Sequence, residues 1–236
     1  MTRKTGNETD IPWHFTGVLF DTLHLIAGLA PASGAWNMAA DEALMAAPEV
    51  PVLRLYRWDQ PTASFGYFEK FTEVRRARPS PPLVRRWTGG GIVDHGADWT
   101  YSLIIPAQHP FAGIPVSESY RRIHTAIAAF LQSQGHAAVL STVVFPTGDG
   151  CFQRPVVADL LIDGRKIAGG AQRRTRRGLL HQGSIQNIDT AHWTAKEFAR
   201  PFSRDVTLRE LSKSEAAEAD RLTETRYATD SWLTRF

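Results

Sequence analysis

Cysteine is nearly absent from this sequence. Cys151 is the only one among 236 residues, so the sequence cannot form an internal disulfide. Long apolar runs are missing as well, because Asp21 and His24 interrupt the stretch from 15 to 30, which follows a polar segment. Neither segment fits a secretion signal or a membrane-spanning helix. We therefore expect a cytoplasmic protein that does not bind membranes.

Charge of one sign is not in large excess. Charged residues make up 22% of the chain and hydrophobic residues 43%, with a net charge of +3, which is ordinary for a globular enzyme or binding domain. A single domain over residues 1–236 is expected at this length. The basic residues concentrate in Arg85-Arg86 and in a run at 173–177, which resembles a turn between strands. Nucleic-acid binding requires a broad basic face with interleaved aromatics, so we expect an acidic protein partner instead.

Helical spacing of apolar residues predicts two helices. Asn37 is a candidate N-cap for a short first helix. Apolar residues at 120–131 predict a longer helix, with Ser117 or Ser119 as its cap. Polar helical sequence over 212–236 closes the chain.

Apolar and β-branched runs predict strands between these helices, at 52–58, 63–67, 156–162, 165–167 and 179–188. Asp163-Gly164 is a two-residue turn signal, so the strands on either side of it should form a hairpin. The strand at 179–188 should pair with the return strand. This order predicts an α+β (mixed α/β) fold with largely antiparallel sheets flanked by helices.

Three consecutive glycines, Gly89, Gly90 and Gly91, separate two well-patterned segments. Such a segment can approach a ligand closely and present N–H donors to a carbonyl or phosphate. A tight turn or bulge is the structural alternative. The glycine segment is not a P-loop, because no Lys-Ser/Thr pair follows Gly91.

Two further residues are candidates for chemistry. Lys166 lies in an apolar strand before the small residues 168–171, where its ammonium could orient an acyl carbonyl or activate a thiol. A lysine exposed beside a turn is the alternative. Cys151 lies in a glycine-containing segment before Pro155, which indicates a loop and an accessible thiol. A small buried hydrophobic residue is the alternative for it.

Several blocks together resemble the biotin/lipoate protein ligase superfamily over about residues 33–233. They are Asn-Met-Ala-Ala-Asp-Glu-Ala-Leu at 37–44, Leu-Arg-Leu-Tyr at 53–56 with Trp58, Arg-Arg-Trp-Thr-Gly-Gly-Gly at 85–91, and Gly-Arg-Lys-Ile-Ala-Gly-Gly-Ala-Gln at 164–172. Three other segments are most similar to the cysteine-dependent octanoyl-carrier-protein:protein octanoyltransferases: Cys151-Phe152-x-x-Pro155, Leu-His-Gln-Gly-Ser-Ile at 180–185, and the terminal segment 224–232. One departure is Gly91, where those transferases usually carry arginine.

The resemblance implies a two-step transfer catalysed by Cys151 and Lys166. Cys151 would take the octanoyl group from octanoyl-acyl carrier protein, and a lysine of the glycine cleavage H protein or a lipoyl domain would then accept it. Lys166 would activate the thiol and hold the carbonyl. A thioester is already activated, so no cofactor is required.

The resemblance also implies contacts with the acyl group or substrate from Arg85, Gly89, Gly90, Gly91, His95, Gly169, Gly170, Ala171 and His181. For both histidines a structural role is the alternative. Histidine spacing predicts no metal site.

Two other functions stay open from the residues. In an ATP-dependent lipoate-protein ligase, which would need ATP and Mg, Lys166 would bind lipoyl-adenylate and Cys151 would have no catalytic role. The second open function is that of a non-catalytic scaffold that binds an acyl group. The residues do not distinguish octanoyl from lipoyl cargo.

The predicted hairpin separates the two catalytic candidates. If residues 162 and 165 flank the turn, residue 161 faces Lys166, and Cys151 lies ten residues further along. Ten extended residues span about 33 Å. For Cys151 to act with Lys166, the segment 148–155 must therefore fold back over the hairpin.

Overall fold

The computed structural model describes residues 17–142 and 155–236. Its strands are β1 (Thr22–Ile26), β2 (Val52–Tyr56), β3 (Thr62–Phe65), β4 (Leu83–Arg85), β5 (Val93–His95), β6 (Trp99–Pro106), β7 (Val139–Leu140), β8 (Leu160–Ile162), β9 (Arg165–Thr175), β10 (Gly178–Ile185) and β11 (Asp205–Leu208). Its helices are α1 (Gly34–Leu44), α2 (Phe71–Ala77), α3 (Pro110–Gly113), α4 (Val116–Ser133), α5 (Ala195–Ala199), α6 (Lys213–Leu222) and α7 (Asp230–Leu233), with a π-helical turn at Thr223–Tyr227 before α7.

The strands form two sheets. The larger has the order β11-β1-β2-β6-β10-β9-β8-β7, and the smaller has the order β4-β3-β5. Strand β1 is parallel to both of its neighbours, and β3 is parallel to β4, whereas the other pairs are antiparallel. The predicted mixed fold with largely antiparallel sheets is therefore confirmed.

Alternate residues of the central strands face two cores, as the period of a strand requires. On β6, Leu103 packs in the core that contains Ile127 of α4 and Phe198 of α5. The next residue, Ile104, packs on the opposite face with Leu44 of α1. The larger sheet is thus covered by helices on both faces, and the α1 face also carries the candidate glycine segment.

The predicted helices are present, but two predicted caps are wrong. Ser33, not Asn37, caps α1, because its side chain accepts the Trp36 N–H. Asn37 is buried within the helix and donates to main-chain carbonyls. Helix α4 begins at Val116 after Pro115, so Ser117 and Ser119 lie inside it. Several residues near the start of an apolar helical pattern can serve as the N-cap, and the pattern alone does not show which of them does.

The predicted hairpin is confirmed at its turn and register. Asp163 and Gly164 both have positive φ, 48° and 73°, as a primed turn requires, and Leu161 faces Lys166. The incoming strand is shorter than predicted, because it begins at Leu160 and not at residue 156. Strand β10 pairs with β9 as predicted.

The polar C-terminal segment forms α6, for which Ser212 supplies a capping box with Glu215. None of the helices in the two described ranges is long and apolar enough to span a membrane.

Candidate active site

Lys166 lies beside a buried carboxylate. Its Nζ is 2.7 Å from Asp159 Oδ2, and the lysine side chain is only 9% exposed. The hairpin produces this contact, because Asp159 immediately precedes β8 and Lys166 is the second residue of β9. A buried ammonium is costly unless a carboxylate pairs with it. The ion pair therefore fixes the lysine at the hairpin end of β9, and the interpretation of an exposed lysine is wrong.

Tyr120 of α4 connects this ion pair to the main chain of β9. Its hydroxyl donates to Asp159 Oδ1 at 2.5 Å and accepts from the Gly170 N–H at 2.9 Å. Burial, and then the nearby Asp159 carboxylate, raise the pKa of Tyr120 well above its usual value, so the phenol stays a donor. Both oxygens of Asp159 thus have partners, which holds the carboxylate in one orientation toward Lys166.

The small residues after Lys166 are required by close packing. A Cβ on Gly169 would lie 2.7 Å from Lys166 Cε, and one on Gly170 would lie 2.5 Å from His181 Nε2. A Cβ on Gly90 would lie 3.6 Å from that of Ala171. The structure therefore places the small-residue segment between the lysine and the glycine segment. Contacts of these residues with an acyl group stay a prediction.

His181 and His124 form a buried pair of rings behind Gly170, with centroids 5.6 Å apart. His181 Nε2 is 3.2 Å from the Tyr101 hydroxyl, and His124 Nδ1 is 2.6 Å from the Ala158 carbonyl oxygen. Burial lowers the pKa of His181 well below its usual value and that of His124 to about 4. Both rings are consequently neutral at neutral pH, and the predicted acyl contact of His181 remains untested.

We expect acid to destabilise the fold through His124. Its pKa is about 4 in the folded protein and about 6.5 in an unfolded chain, so between these values only the unfolded chain gains a proton. Stability is full above about pH 6.5 and falls toward pH 4, by roughly 3 kcal/mol from this residue alone. Urea unfolding across this pH range measures the loss.

His124→Asn is the matched control. The asparagine amide can still donate to the Ala158 carbonyl oxygen, but it does not titrate. The variant should therefore lose less stability than the wild type between neutral pH and pH 4. Equal losses in the two proteins would contradict the assignment.

The three glycines form a turn held from one side by an arginine. Gly90 has φ +83°, and a Cβ on Gly66 would lie 1.7 Å from the Gly90 carbonyl oxygen, so Gly66 admits no side chain. Arg86 Nη2 donates to the carbonyl oxygens of Gly89 at 3.1 Å and Gly91 at 2.8 Å. This turn is tightly packed, as the structural alternative predicts, and donation of its N–H groups to a ligand stays a prediction.

Arg85, unlike Arg86, donates no hydrogen bond to the three glycines. Its guanidinium is buried and donates to the carbonyl oxygens of Tyr67 at 2.7 Å, Glu69 at 2.8 Å and Leu233 at 2.9 Å. The side chain therefore anchors the C-terminal segment to the chain after β3. Its contact with substrate stays a prediction.

His95 lies in a network of polar side chains beside the glycine segment. Its Nε2 is 2.6 Å from Ser64 Oγ, its Nδ1 is 2.7 Å from Asp98 Oδ2, and its ring stacks on Trp58 at 4.1 Å. Burial opposes ionisation of Asp98, but hydrogen bonds from His95 and two hydroxyl groups lower its pKa to about 2. These contacts favour the structural role for His95, and its acyl contact stays untested.

Cys151 falls in 143–154, outside the described residues. The residues that follow it limit how far Cys151 can lie from Lys166. The Val156 N–H donates to Asp159 Oδ2 at 2.7 Å, the same oxygen that contacts Lys166. The Asp159 N–H in turn donates to the Val156 carbonyl oxygen at 3.0 Å, so residues 156–159 form a turn before β8. Cys151 precedes Val156 by five residues, which span at most about 17 Å. This limit is half of the roughly 33 Å expected for the ten residues between Cys151 and residue 161.

Sequence patterns missed three side chains that organise this site: Tyr120, Asp159 and Arg86. Tyr120 matches the apolar face of its helix, so its hydroxyl gave no signal. Asp159 interrupts an apolar run from 156 to 162, and this interruption was the available signal. Within residues 17–142 and 155–236, no group of three or more His, Cys, Asp or Glu is arranged to hold a metal ion.

Comparison with known proteins decides the family. The model of the lipoyl protein ligase A/B catalytic domain matches residues 33–215. The chain belongs to this family. The matched range contains Lys166, Asp159 and the glycine segment, so the geometry described above lies within the family's domain.

Similar proteins include octanoyltransferases named LipM. The chain is 29% identical to that of Brevibacillus brevis, covering 86% of this chain and 95% of the relative. It is 30% identical to that of Staphylococcus aureus, covering 85% and 94%. It is 35% identical to that of Bacillus subtilis, covering 65% and 62%.

Solved structures of lipoate protein ligases share the fold. A putative lipoate protein ligase from T. acidophilum with bound lipoic acid has a TM-score of 0.73 at 19% identity, covering 91% of this chain and 99% of that one. A lipoate-protein ligase A bound with ATP has a TM-score of 0.72 at 19% identity, covering 91% and 99%. The predicted ligase-like catalytic fold is therefore confirmed.

Proposed function

We propose that this chain is an octanoyltransferase of protein lipoylation. It takes the octanoyl group from octanoyl-acyl carrier protein and passes it to a lysine of a lipoate-dependent protein, such as the glycine cleavage H protein or a lipoyl domain. Similarity to LipM octanoyltransferases over 94% or more of the length of two relatives supports the acyl cargo. The buried pair of Lys166 and Asp159 is the observation that carries the chemistry.

The reaction proceeds through an acyl-cysteine. The Cys151 thiolate attacks the thioester carbonyl carbon of the donor, and the carrier leaves as a thiolate that takes up a proton. The acceptor lysine, as a neutral amine, then attacks the new thioester and forms the amide, while Cys151 leaves as a thiolate and the nitrogen gives up one proton to solvent. Each step exchanges one bond to the acyl carbon, and a thioester is activated enough for both.

Lys166 supplies positive charge for these steps. An ammonium near the acyl carbonyl offsets the negative charge that develops on its oxygen, and such charge is most effective when it is held before the reaction begins. Asp159 and Tyr120 provide this positioning from the buried side of the lysine. The turn at 156–159 brings the Val156 N–H to the same carboxylate, which supports an approach of Cys151 from the segment before it.

Intact mass spectrometry tests the proposal. The protein is incubated with octanoyl-acyl carrier protein in the absence of ATP, before and after an unmodified H protein is added. We expect the wild type to gain the mass of one octanoyl group and to lose it to the acceptor. Cys151→Ser should gain no thiol-labile octanoyl group.

Three outcomes separate the alternatives. Full transfer by Cys151→Ser would remove the acyl-cysteine route. Modification of the acceptor only when ATP and free lipoate are supplied would make the protein a lipoate ligase. Absence of transfer under both conditions, with the chain folded, would contradict an enzymatic role.

A further inference from the structure

A strongly basic cleft lies beside the C-terminal segment. It has a volume of about 460 Å³, and its charged lining residues are Glu42, Arg173, Arg176, Arg177, Arg226 and Arg235. These residues carry a formal charge of +4, whereas the whole chain carries +3. The rest of the chain is therefore slightly acidic, so the positive charge is a local feature of this cleft.

Most of this charge is not held in ion pairs with carboxylates of the described residues. Glu42 is bound by Arg226 at 2.5 Å. In the described ranges, no carboxylate lies within ion-pair distance of the other four arginines. Like charges brought together without counter-charges repel each other, and an anionic ligand relieves that repulsion.

Arg173 lies in the wall of the cleft, where two aromatic rings contact its guanidinium group. Its guanidinium carbon lies 5.2 Å from the ring centroids of both Tyr67 and Trp87. Its Nε is buried and has no hydrogen-bond partner among the described residues. Stacked guanidinium groups keep their N–H edges available for carboxylate or phosphate. The two aromatic rings therefore hold this one guanidinium in the cleft wall before any anion binds.

Exposed aromatic side chains continue from the cleft. Phe68 is 73% exposed and Phe236 is 48% exposed, and both rings contact Tyr67 of the cleft wall, with centroids 4.9 and 5.5 Å away. An apolar rim beside a charged cleft fits a folded protein surface better than a small anion, because buried aromatic contacts dominate protein interfaces. The slightly acidic remainder of the chain disfavours the extended track of a nucleic acid.

We infer that this cleft docks the acidic surface of the acyl carrier protein that delivers the octanoyl group. This inference rests on the proposed function. The distance from the cleft to Lys166 favours the donor protein over the acceptor protein as the partner that docks here. Arg173 follows Lys166 by seven residues on β9, about 23 Å in an extended strand. An acceptor lysine has only a four-carbon stem, so its domain must lie next to Lys166. A carrier with its thioester on a long flexible arm can bridge the distance.

The test compares two donors. One is octanoyl-acyl carrier protein, and the other is octanoyl-N-acetylcysteamine, an uncharged thioester without a carrier. For Arg176→Glu/Arg177→Glu, which changes two exposed residues of the β9–β10 turn, we expect the ratio of kcat/KM for the carrier donor to that for the uncharged donor to fall about tenfold or more, mainly through KM. Added salt should lower the same ratio in the wild type.

Arg200→Glu/Arg204→Glu is the matched control. It makes the same change of charge at two exposed arginines at and after the end of α5. Its donor ratio should stay at the wild-type value. An equal fall in both double variants, or no fall in either, would overturn the inference. So would an effect of Arg176→Glu/Arg177→Glu on the acceptor KM alone.

Two additional measurements keep the inference separate from the proposed function. If the wild type uses neither donor, the proposed function fails first, and direct binding of the unmodified and octanoylated carrier proteins is measured instead. Binding that weakens in Arg176→Glu/Arg177→Glu supports the docking surface on its own. Binding of a short single-stranded DNA in place of the carrier would overturn it.

Discussion

Lys166→Met is expected to lower kcat/KM for octanoyl transfer by about a hundredfold to a thousandfold, the loss typical of removing one preorganised charge-stabilising group. Methionine retains much of the length of the lysine side chain but not its charge, so the acyl carbonyl loses its positive partner. Asp159 keeps its hydrogen bonds from Tyr120 and the Val156 N–H. Steady-state kinetics on protein shown to be folded by circular dichroism measures the effect.

Arg165→Met is the control for this loss. Arg165 is the exposed neighbour of Lys166 on the same strand, and its removal changes the net charge by the same amount. It should keep near wild-type kinetics. If folded Lys166→Met also keeps wild-type kcat/KM, the lysine has no role in the transfer, and the proposed chemistry is wrong at its central residue.

Arg54→Met is expected to destabilise the protein by about 3–5 kcal/mol, the usual cost of breaking a buried ion pair on one side. Arg54 Nη1 is 2.7 Å from Asp41 Oδ1, and both side chains are fully buried. Without the guanidinium, Asp41 keeps only neutral donors from Ser102 and Gln182. A loss of this size is a large part of the stability of an ordinary domain. Urea unfolding measures it.

Two variants test whether charge is the cause. Arg54→Met/Asp41→Asn leaves no unpaired buried charge, so it should recover part of the lost stability. Arg221→Met removes an arginine from an exposed pair with Glu218, where the side chains are 58% and 36% exposed, and should change stability little because solvent screens such pairs. Equal destabilisation by Arg54→Met and Arg221→Met would contradict the argument.

Local sequence patterns predicted the elements that frame the site because their causes are local. The Asp163-Gly164 turn requires positive φ, which these residue types tolerate, and this turn alone set Leu161 opposite Lys166. The periodicity at 120–131 likewise predicted the long helix. Helix caps and strand ends were predicted less well, because the competing neighbours are chemically similar and the choice depends on tertiary packing.

The candidate site shows the same division. Arg85 and Arg86 are adjacent and identical in type, yet one binds C-terminal carbonyls and the other holds the glycine turn. Successive side chains of an extended segment point to opposite sides, and only the surroundings decide which side contains the site. No sequence pattern distinguishes the two arginines.

The sequence by itself determined the family, the mixed sheet-and-helix fold, the hairpin that presents Lys166 and the glycine turn beside it. Each depends on short spacings, which the chain encodes locally. Only the tertiary structure decided that Asp159 and Tyr120 hold the lysine, that the Val156 N–H lies at the same carboxylate, and that arginines from several segments form one basic cleft. The Tyr120–Asp159 contact and the cleft join residues distant in sequence. The free energies of all these contacts arise from burial and charge pairing, which exist only once the chain is folded.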